Sequence, residues 1–231
     1  MKHKHIYSYS QRLLVRLKKK GLKKTFLSIF SYAYDLFFDA KYNLDTHSWV
    51  SVDELDIEDG KKENAVLYQA TRVLALRKLF KKLEFPNEFT LVDIGSGKGR
   101  VLLIASEFGF DDVIGIEISP TLCSIAENNI LEYRFKTQTR TYFHVVNADA
   151  SEYQYNDDED VFFLYNPFDD IILEKVLNNI SASLKRRNRK AWMIYANAVH
   201  RELIEKTMKI VNTEDYNILD FEFVVYEIEY L

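Results

Sequence analysis

The stretch Leu91-Val92-Asp93-Ile94-Gly95-Ser96-Gly97-Lys98-Gly99-Arg100 decides the reading of this chain. From Phe89 to Ile94 the residues are apolar and β-prone, apart from Thr90 and Asp93, as in a buried strand. Gly95, Gly97 and Gly99 then alternate, and Val101-Leu102-Leu103-Ile104-Ala105 continues as a helix packed on the sheet. A strand that breaks into glycines and re-enters a helix brings bare backbone against a ligand. The helix N-terminus adds unpaired N–H groups and the positive end of a dipole. The combination predicts a nucleotide-like ligand.

Three ligand classes compete for such a turn. A phosphate-binding loop needs Gly-x-x-x-x-Gly-Lys followed by Ser or Thr. Here Lys98 is followed by Gly99, and the position five before Gly97 is Val92. A dinucleotide turn needs Gly-x-Gly-x-x-Gly. Arg100 stands at its third glycine, and Asp93 precedes the turn where a carboxylate would oppose a pyrophosphate. The third pattern, Asp-x-Gly-x-Gly-x-Gly from Asp93 to Gly99, resembles motif I of class I S-adenosylmethionine (SAM)-dependent methyltransferases. That cofactor has no phosphate and carries an ammonium and a sulfonium, so an acid beside the turn suits it.

Downstream, strands and helices alternate. Asp112 to Glu117 reads as a second strand that ends in an acid, 18 residues after Gly99. Ser119 caps a helix with Pro120 in its first turn, running to about Tyr133. Tyr142 to Val146 is a third strand, followed by Asn147-Ala148-Asp149-Ala150; Val161 to Tyr165 is a fourth, running into Asn166-Pro167-Phe168. A helix over 171–184, a solvated basic turn at Lys185 to Lys190, a strand at Ala191 to Ala196 and a helix over 198–210 follow. A break at Asn217 to Asp220 separates two final strands, the last over Phe221 to Tyr230. This order predicts a doubly wound α/β fold with a mainly parallel sheet and an antiparallel edge.

Ahead of the glycine turn, residues 64–83 repeat apolar side chains at helical spacing, and Pro86 ends that helix. Residues 39–62 are polar and irregular, fitting a lid, a substrate-side loop or a connector. Residues 6–38 read as mostly helical. Residues 1–30 hold nine Lys and Arg and no acid, whereas the whole chain of 231 residues has a net charge of −4. A basic arm on an acidic body is a patterning signal. The expectation is a helix that docks its apolar face on the domain and leaves its lysines in solvent. Contact of residues 1–30 with an anionic surface, lipid or nucleic acid, is the alternative. No apolar run approaches the ~18 residues of a transmembrane span. The single Cys123 excludes an internal disulfide and a Cys-based zinc site, and a reducing cytoplasm is the expected compartment. No metal-ligand cluster is evident.

Over roughly residues 64–231 the chain resembles class I SAM-dependent methyltransferases, with 1–63 as a basic helical extension and connector. More narrowly it is similar to bacterial methyltransferase-domain proteins with Asp-x-Gly-Ser-Gly-Lys-Gly-Arg and Tyr-Asn-Pro-Phe motifs. Tyr68-Gln69-Ala70-Thr71 resembles a Tyr-x-x-Thr element of lysine methyltransferases. The resemblance implies a seven-stranded Rossmann-like sheet and a cofactor set of Tyr68, Thr71, Asp93, Gly95, Ser96, Gly97, Gly99, Arg100, Glu117, Ile118, Asp149, Ala150 and Asn166. Within it, Asp93 would lie near the ammonium, Glu117 would bind the ribose, Ile118 would pack on the adenine and Asp149 would meet its amino group. Asn166, Pro167 and Phe168 would form the catalytic face toward the methyl acceptor. The acceptor itself is open: a protein amino group first, then a small molecule, and nucleic acid less favoured by an acidic body. Two other readings stand behind this one. The first is a non-catalytic SAM-binding or membrane-surface module working through the basic helix; the second is an NAD-dependent oxidoreductase. The sequence is silent on oligomeric state.

Overall fold

The computed structural model describes residues 9–48, 50, 70–86 and 88–230, with side chains described from residue 22, residue 23 excepted. A seven-stranded sheet runs in the order β3-β2-β1-β4-β5-β7-β6. Its strands are β1 (Thr90–Ile94), β2 (Asp112–Glu117), β3 (Tyr142–Asn147), β4 (Glu159–Leu164), β5 (Ala191–Ala196), β6 (Lys209–Ile218) and β7 (Phe221–Glu229). The first five pair in parallel, while β7 is antiparallel to both β5 and β6. The helices are α1 (Tyr9–Tyr42), α2 (Val73–Leu83), α3 (Arg100–Ala105), α4 (Pro120–Thr137), α5 (Asp170–Arg186) and α6 (Arg201–Thr207).

β1 lies at the centre because its apolar residues are shielded on both faces: Leu91, Val92 and Ile94 are fully buried. One core joins Leu91 to α2, α3 and Phe38 of α1. The other joins Val92 and Ile94 to Leu173, Val176 and Ile180 of α5. After β1 the chain builds outward through β2 and β3, then returns to the other side of β1 for β4. The carboxyl ends of β1 and β4 therefore form the switch point at which open α/β sheets bind ligands.

The expected fold class is observed, and several element boundaries shift. The helix read over 198–210 ends at Thr207, and Lys209 already begins β6. The helix read from residue 64 begins at Val73; residues 70–72 are non-helical, and 64–69 lie outside the described residues, as does the boundary at 63/64. α1 continues past residue 38 to Tyr42. Arg189, expected in a solvated turn, instead donates to the carbonyls of Ser183, Asn156 and Glu159 at 3.0, 3.1 and 2.8 Å.

The largest correction concerns the orientation of α1. The sequence predicts that it buries its apolar face. It does so only toward its C-terminal end, where Phe38 is buried and Tyr34 and Tyr42 pack on the core; Thr25, Ser31, Asp35 and Asp39 are buried beside them, and Leu22, Phe26, Ile29, Phe30 and Phe37 face solvent. The reason is a set of buried cations in the body that need acidic partners, described below.

Glu159, at the start of β4, supplies a pH-dependent stability term. Its Oε1 accepts from Tyr153 Oη at 2.9 Å and Asn156 Nδ2 at 3.0 Å, while Oε2 is buried without a partner. Burial outweighs these hydrogen bonds and pushes its carboxyl from 4.5 up to about 7. The folded state then holds a proton that the unfolded state has released, so stability falls as pH rises from about 4.5 to about 7. Glu159→Gln removes this decline, worth on the order of 2–3 kcal/mol at most. Thermal melts from pH 5 to pH 8 should show a Tm that falls in the wild type and falls less in the variant, where the raised Asp93 and Glu117 carboxyls remain.

Candidate active site

The glycine turn leaves β1 with positive φ at Gly95 (78°), Gly97 (53°) and Gly99 (80°), values that favour glycine. Its amides are largely committed inside the protein. Gly95 N and Ser96 N donate to Ile116 O at 2.9 and 3.0 Å, and Gly99 N donates to Ser96 O at 2.9 Å. Gly97 N donates to Glu117 Oε2 at 2.8 Å. A phosphate cradle presents such amides to its ligand. Here four are already used, and the charge nearest the turn is acidic.

Asp93 and Glu117 supply that charge. Both are buried. Burial, and the neighbouring Glu117, hold the Asp93 carboxyl well above the usual carboxylate range. Its Oδ2 has no hydrogen-bond partner. Glu117 is also raised by burial, partly offset by amide hydrogen bonds from Ser119, Gly97 and Ile118. Its Oε1 accepts from Ser119 N at 2.9 Å, so this carboxylate also ties the turn to the entry of α4. A buried acid with an unpartnered oxygen beside a backbone turn fits a cation-bearing ligand and opposes a pyrophosphate. Cys123, on α4, has its thiol pushed up to about 11 by burial and by Glu117, which makes it inert at neutral pH.

The Asn-Pro-Phe segment arrives from β4, the neighbour of β1. A Cβ built on Gly95 would sit 2.6 Å from Pro167 Cβ, so the two motifs are in direct contact. Asn166 has φ 44°, an uncommon left-handed conformation for a side-chain-bearing residue. Its Oδ1 accepts from Tyr195 Oη of β5 at 3.0 Å. Burial raises the Tyr195 phenol, which keeps it a donor. Tyr195 is a partner of Asn166 that the sequence did not reveal, because within β5 it reads only as one more apolar position. Phe168 packs partly buried on the α5-side core.

The residues that the resemblance assigns to the adenine are arranged less uniformly. Ile118 is half-buried beside Val50, Leu122 and Ile125. Asp149 Oδ1 accepts from Ser151 N and Oγ at 2.9 and 2.8 Å, so this oxygen caps a local turn. Ala150 is buried, and its carbonyl accepts from Tyr155 Oη at 3.3 Å. Ser96 Oγ is buried and unpartnered, and it faces Gly115 of β2. Tyr68 lies outside the described residues.

Arg100 and Thr71 are tied to one another and to the N-terminal segment. The resemblance places Arg100 at the cofactor. Its side chain is instead buried against the N-terminal segment: Nε donates to Thr46 Oγ1 at 2.7 Å and Nη1 to Thr71 O at 3.0 Å. Asp35 and Asp39 lie 3.5 and 3.7 Å from its guanidinium. Asp35 also pairs with Arg72 at 2.8 Å and accepts from Val73 N at 2.9 Å, capping α2 from a distant helix. Asp39 accepts from Thr46 N, Thr46 Oγ1 and His47 N, which closes the turn after α1.

Lys98 behaves in the same way. Its ammonium is buried, pairs with Asp45 at 2.9 Å and donates to Ser48. Burial raises the Asp45 carboxyl, but the hydrogen bonds from Ser48 and Lys98 outweigh it and hold the group below its usual range. Asn129 of α4 receives Asp45 N at 2.8 Å and donates to Asp45 O and Lys98 O at 3.1 and 3.0 Å. The two cations of the glycine motif thus bind the turn after α1, so residues 43–48 are a fixed wall beside the site rather than a loose connector. The sequence did carry a signal for this. Asp35, Asp39 and Asp45 are the acids that follow an acid-free arm.

Among the described residues there is no group of three or more His, Cys, Asp and Glu able to hold a metal. No helix among them is long and apolar enough to cross a membrane.

The family model of the histone methylation protein DOT1 matches residues 49–220, about three quarters of the chain. The chain belongs to this family. The DOT1-family chain is a methyltransferase, and SAM is its cofactor. Its fold is shared with TrmN from Thermus thermophilus (TM-score 0.52, 11% identity, covering 70% of this chain and 49% of that one). It is shared equally with the mitomycin 7-O-methyltransferase MmcR (TM-score 0.52, 15% identity, 69% and 54% covered). The glycopeptide N-methyltransferase MtfA, solved in complex with SAM, is similar over 68% of this chain and 93% of its own (TM-score 0.50, 11% identity). No curated protein matches the sequence.

Proposed function

We propose that this methyltransferase acts on an amino group of a protein, with Asn166, Pro167 and Phe168 holding the acceptor. The observation that carries this reading is the contact of Pro167 with Gly95. It joins the acceptor motif to the cofactor turn at the switch point of the sheet. The match to a histone-methylation family supports a protein acceptor. The fold alone is neutral, since it is shared by an O-methyltransferase and an N-methyltransferase.

SAM supplies an activated methyl group on a sulfonium, which leaves without acid assistance. The backbone of Gly95, Ser96, Gly97 and Gly99 would hold its methionine part, with Asp93 to accept from its ammonium. Glu117, at the end of β2, would hold the ribose, and Ile118, Asp149 and Ala150 the adenine. Asn166, fixed by Tyr195, presents its carboxamide and backbone carbonyl to the acceptor nitrogen. A neutral amine needs no strong base, so catalysis rests on alignment and exclusion of water.

Two tests follow. With tritiated SAM and a basic protein such as histone, the wild type should deposit label that survives acid hydrolysis as methylated lysine. Asn166→Ala should lose about 100-fold in kcat with a small change in SAM affinity, as expected for a positioning defect of about 1 Å. SAM binding without label on any protein or small-molecule acceptor would overturn the catalytic reading. The second test uses Asp93. A cationic ligand favours its ionised form, whose pKa is raised in the free protein, so SAM binding releases a proton and tightens as pH rises. In Asp93→Asn the affinity should be weaker and independent of pH, measured by calorimetry in buffers of different ionisation enthalpy.

A further inference from the structure

α1 buries Asp35, Phe38 and Asp39 in the body and leaves a second, apolar side uncovered. Leu22, Phe26, Ile29, Phe30 and Phe37 follow a helical i, i+4, i+7, i+8, i+15 spacing and so share one side of the helix. Leu22 is 80% exposed, Phe26 68% and Phe37 60%. This arc extends about 22 Å along the helix at 1.5 Å per residue. Its C-terminal limit is the exposed Lys41 in the last turn of α1. Exposed apolar surface on such a scale marks an interaction site.

Charge identifies the occupant. The same helix carries Arg12, Arg16, Lys18, Lys19, Lys20, Lys23 and Lys24, and residues 1–30 contain no acid. Lys24 reaches Asp220 at 3.3 Å yet stays 59% exposed. Nucleic acid would take the cations but has no place for a row of Phe, Leu and Ile. A second copy would take the apolar row but would set two cationic segments, acid-free through residue 30, against each other. An anionic bilayer surface takes both, with apolar side chains in the acyl boundary and cations among the headgroups.

We infer that α1 docks the enzyme on anionic lipid surfaces through Leu22, Phe26, Ile29, Phe30 and Phe37. Because Asp35, Asp39 and the turn after α1 are bonded to Arg100 and Lys98, the docked helix holds the glycine turn at a fixed distance from the bilayer. The inference stands on the surface of α1 and is independent of the acceptor.

Flotation of the full chain with vesicles tests it. Vesicles of phosphatidylglycerol and phosphatidylcholine in equal amounts should carry the protein, and vesicles of phosphatidylcholine alone should carry little. Leu22→Gln with Phe26→Gln replaces exposed side chains and should keep the wild-type Tm while lowering anionic-vesicle partitioning at least about tenfold. Salt near 0.5 M should lower it by a similar factor, roughly. Failure to float with anionic vesicles would overturn the inference, and so would flotation that the double variant leaves unchanged. A dimer in sedimentation velocity that the double variant abolishes would assign the face to a second copy, and retention of nucleic acid by the double variant without lipid binding would assign the arm to phosphate.

Discussion

Gly95→Ala should lower kcat/KM by about 100-fold, the loss expected from an ångström-scale misplacement of reacting groups. Two effects add at this position. The φ of 78° lies where an L side chain is strained, at roughly 1–2 kcal/mol. The new Cβ would also meet Pro167 Cβ at 2.6 Å, which no rotamer relieves, because both atoms are fixed by backbone. The acceptor segment must therefore move away from the turn. Methyl transfer should suffer more than cofactor binding, because only the relation between the two motifs changes. The check is a SAM titration beside a single-turnover methylation assay. Equal losses in both would mean that the turn alone is damaged, and an unaffected rate would mean that the Gly95–Pro167 contact has no catalytic consequence.

Arg100→Met should destabilise the fold by roughly 3–5 kcal/mol, the usual penalty for leaving buried charges without their partner. Arg100 is buried, and Asp35 and Asp39 beside it are 1% and 2% exposed, so solvent cannot replace the guanidinium. The Thr46 hydroxyl and the Thr71 carbonyl lose their donor at the same time. For a chain of this size the Tm should fall by on the order of 10 °C. Asp35 keeps the Arg72 guanidinium, whereas Asp39 keeps His47 Nδ1 at 2.6 Å and its amide donors, so Asp39→Asn is the better compensating change and should recover part of the loss in the double variant. The folded fraction should bind SAM nearly as the wild type does, because the guanidinium points to α1. A variant of normal stability that has lost SAM would return Arg100 to the cofactor.

These two positions show what the sequence could disclose. The Asp-x-Gly-x-Gly-x-Gly turn was legible because strand, glycines and helix are consecutive, so local chemistry contains the answer. The bounds of β2 and β5 were legible for the same reason, as continuous apolar runs. The start of β6 was not: it lies on an edge strand, is largely polar from Asn212 to Asp215, and fell inside the helix read over 198–210. The start of α2 was hidden because its cap is Asp35, 38 residues earlier. The exposure of Leu22, Phe26, Ile29, Phe30 and Phe37 on α1 runs against the rule that an amphipathic helix buries its apolar face. Buried Arg100 and Lys98 reverse that preference, since an unpaired interior cation costs more than several exposed apolar side chains gain on burial. Within the site, Asn166 was visible in its motif, but the Tyr195 that orients it was not.

The central claim is that the turn from Gly95 to Gly99, with Asp93 beneath it, receives SAM and excludes phosphate-bearing cofactors. Calorimetric titration of the full chain with SAM, S-adenosylhomocysteine, NAD and ATP tests it most directly. The account predicts one SAM per chain, with proton release that disappears in Asp93→Asn, and no heat from NAD or ATP. Binding of NAD or ATP at this turn, or a folded protein that takes up no SAM, would contradict it.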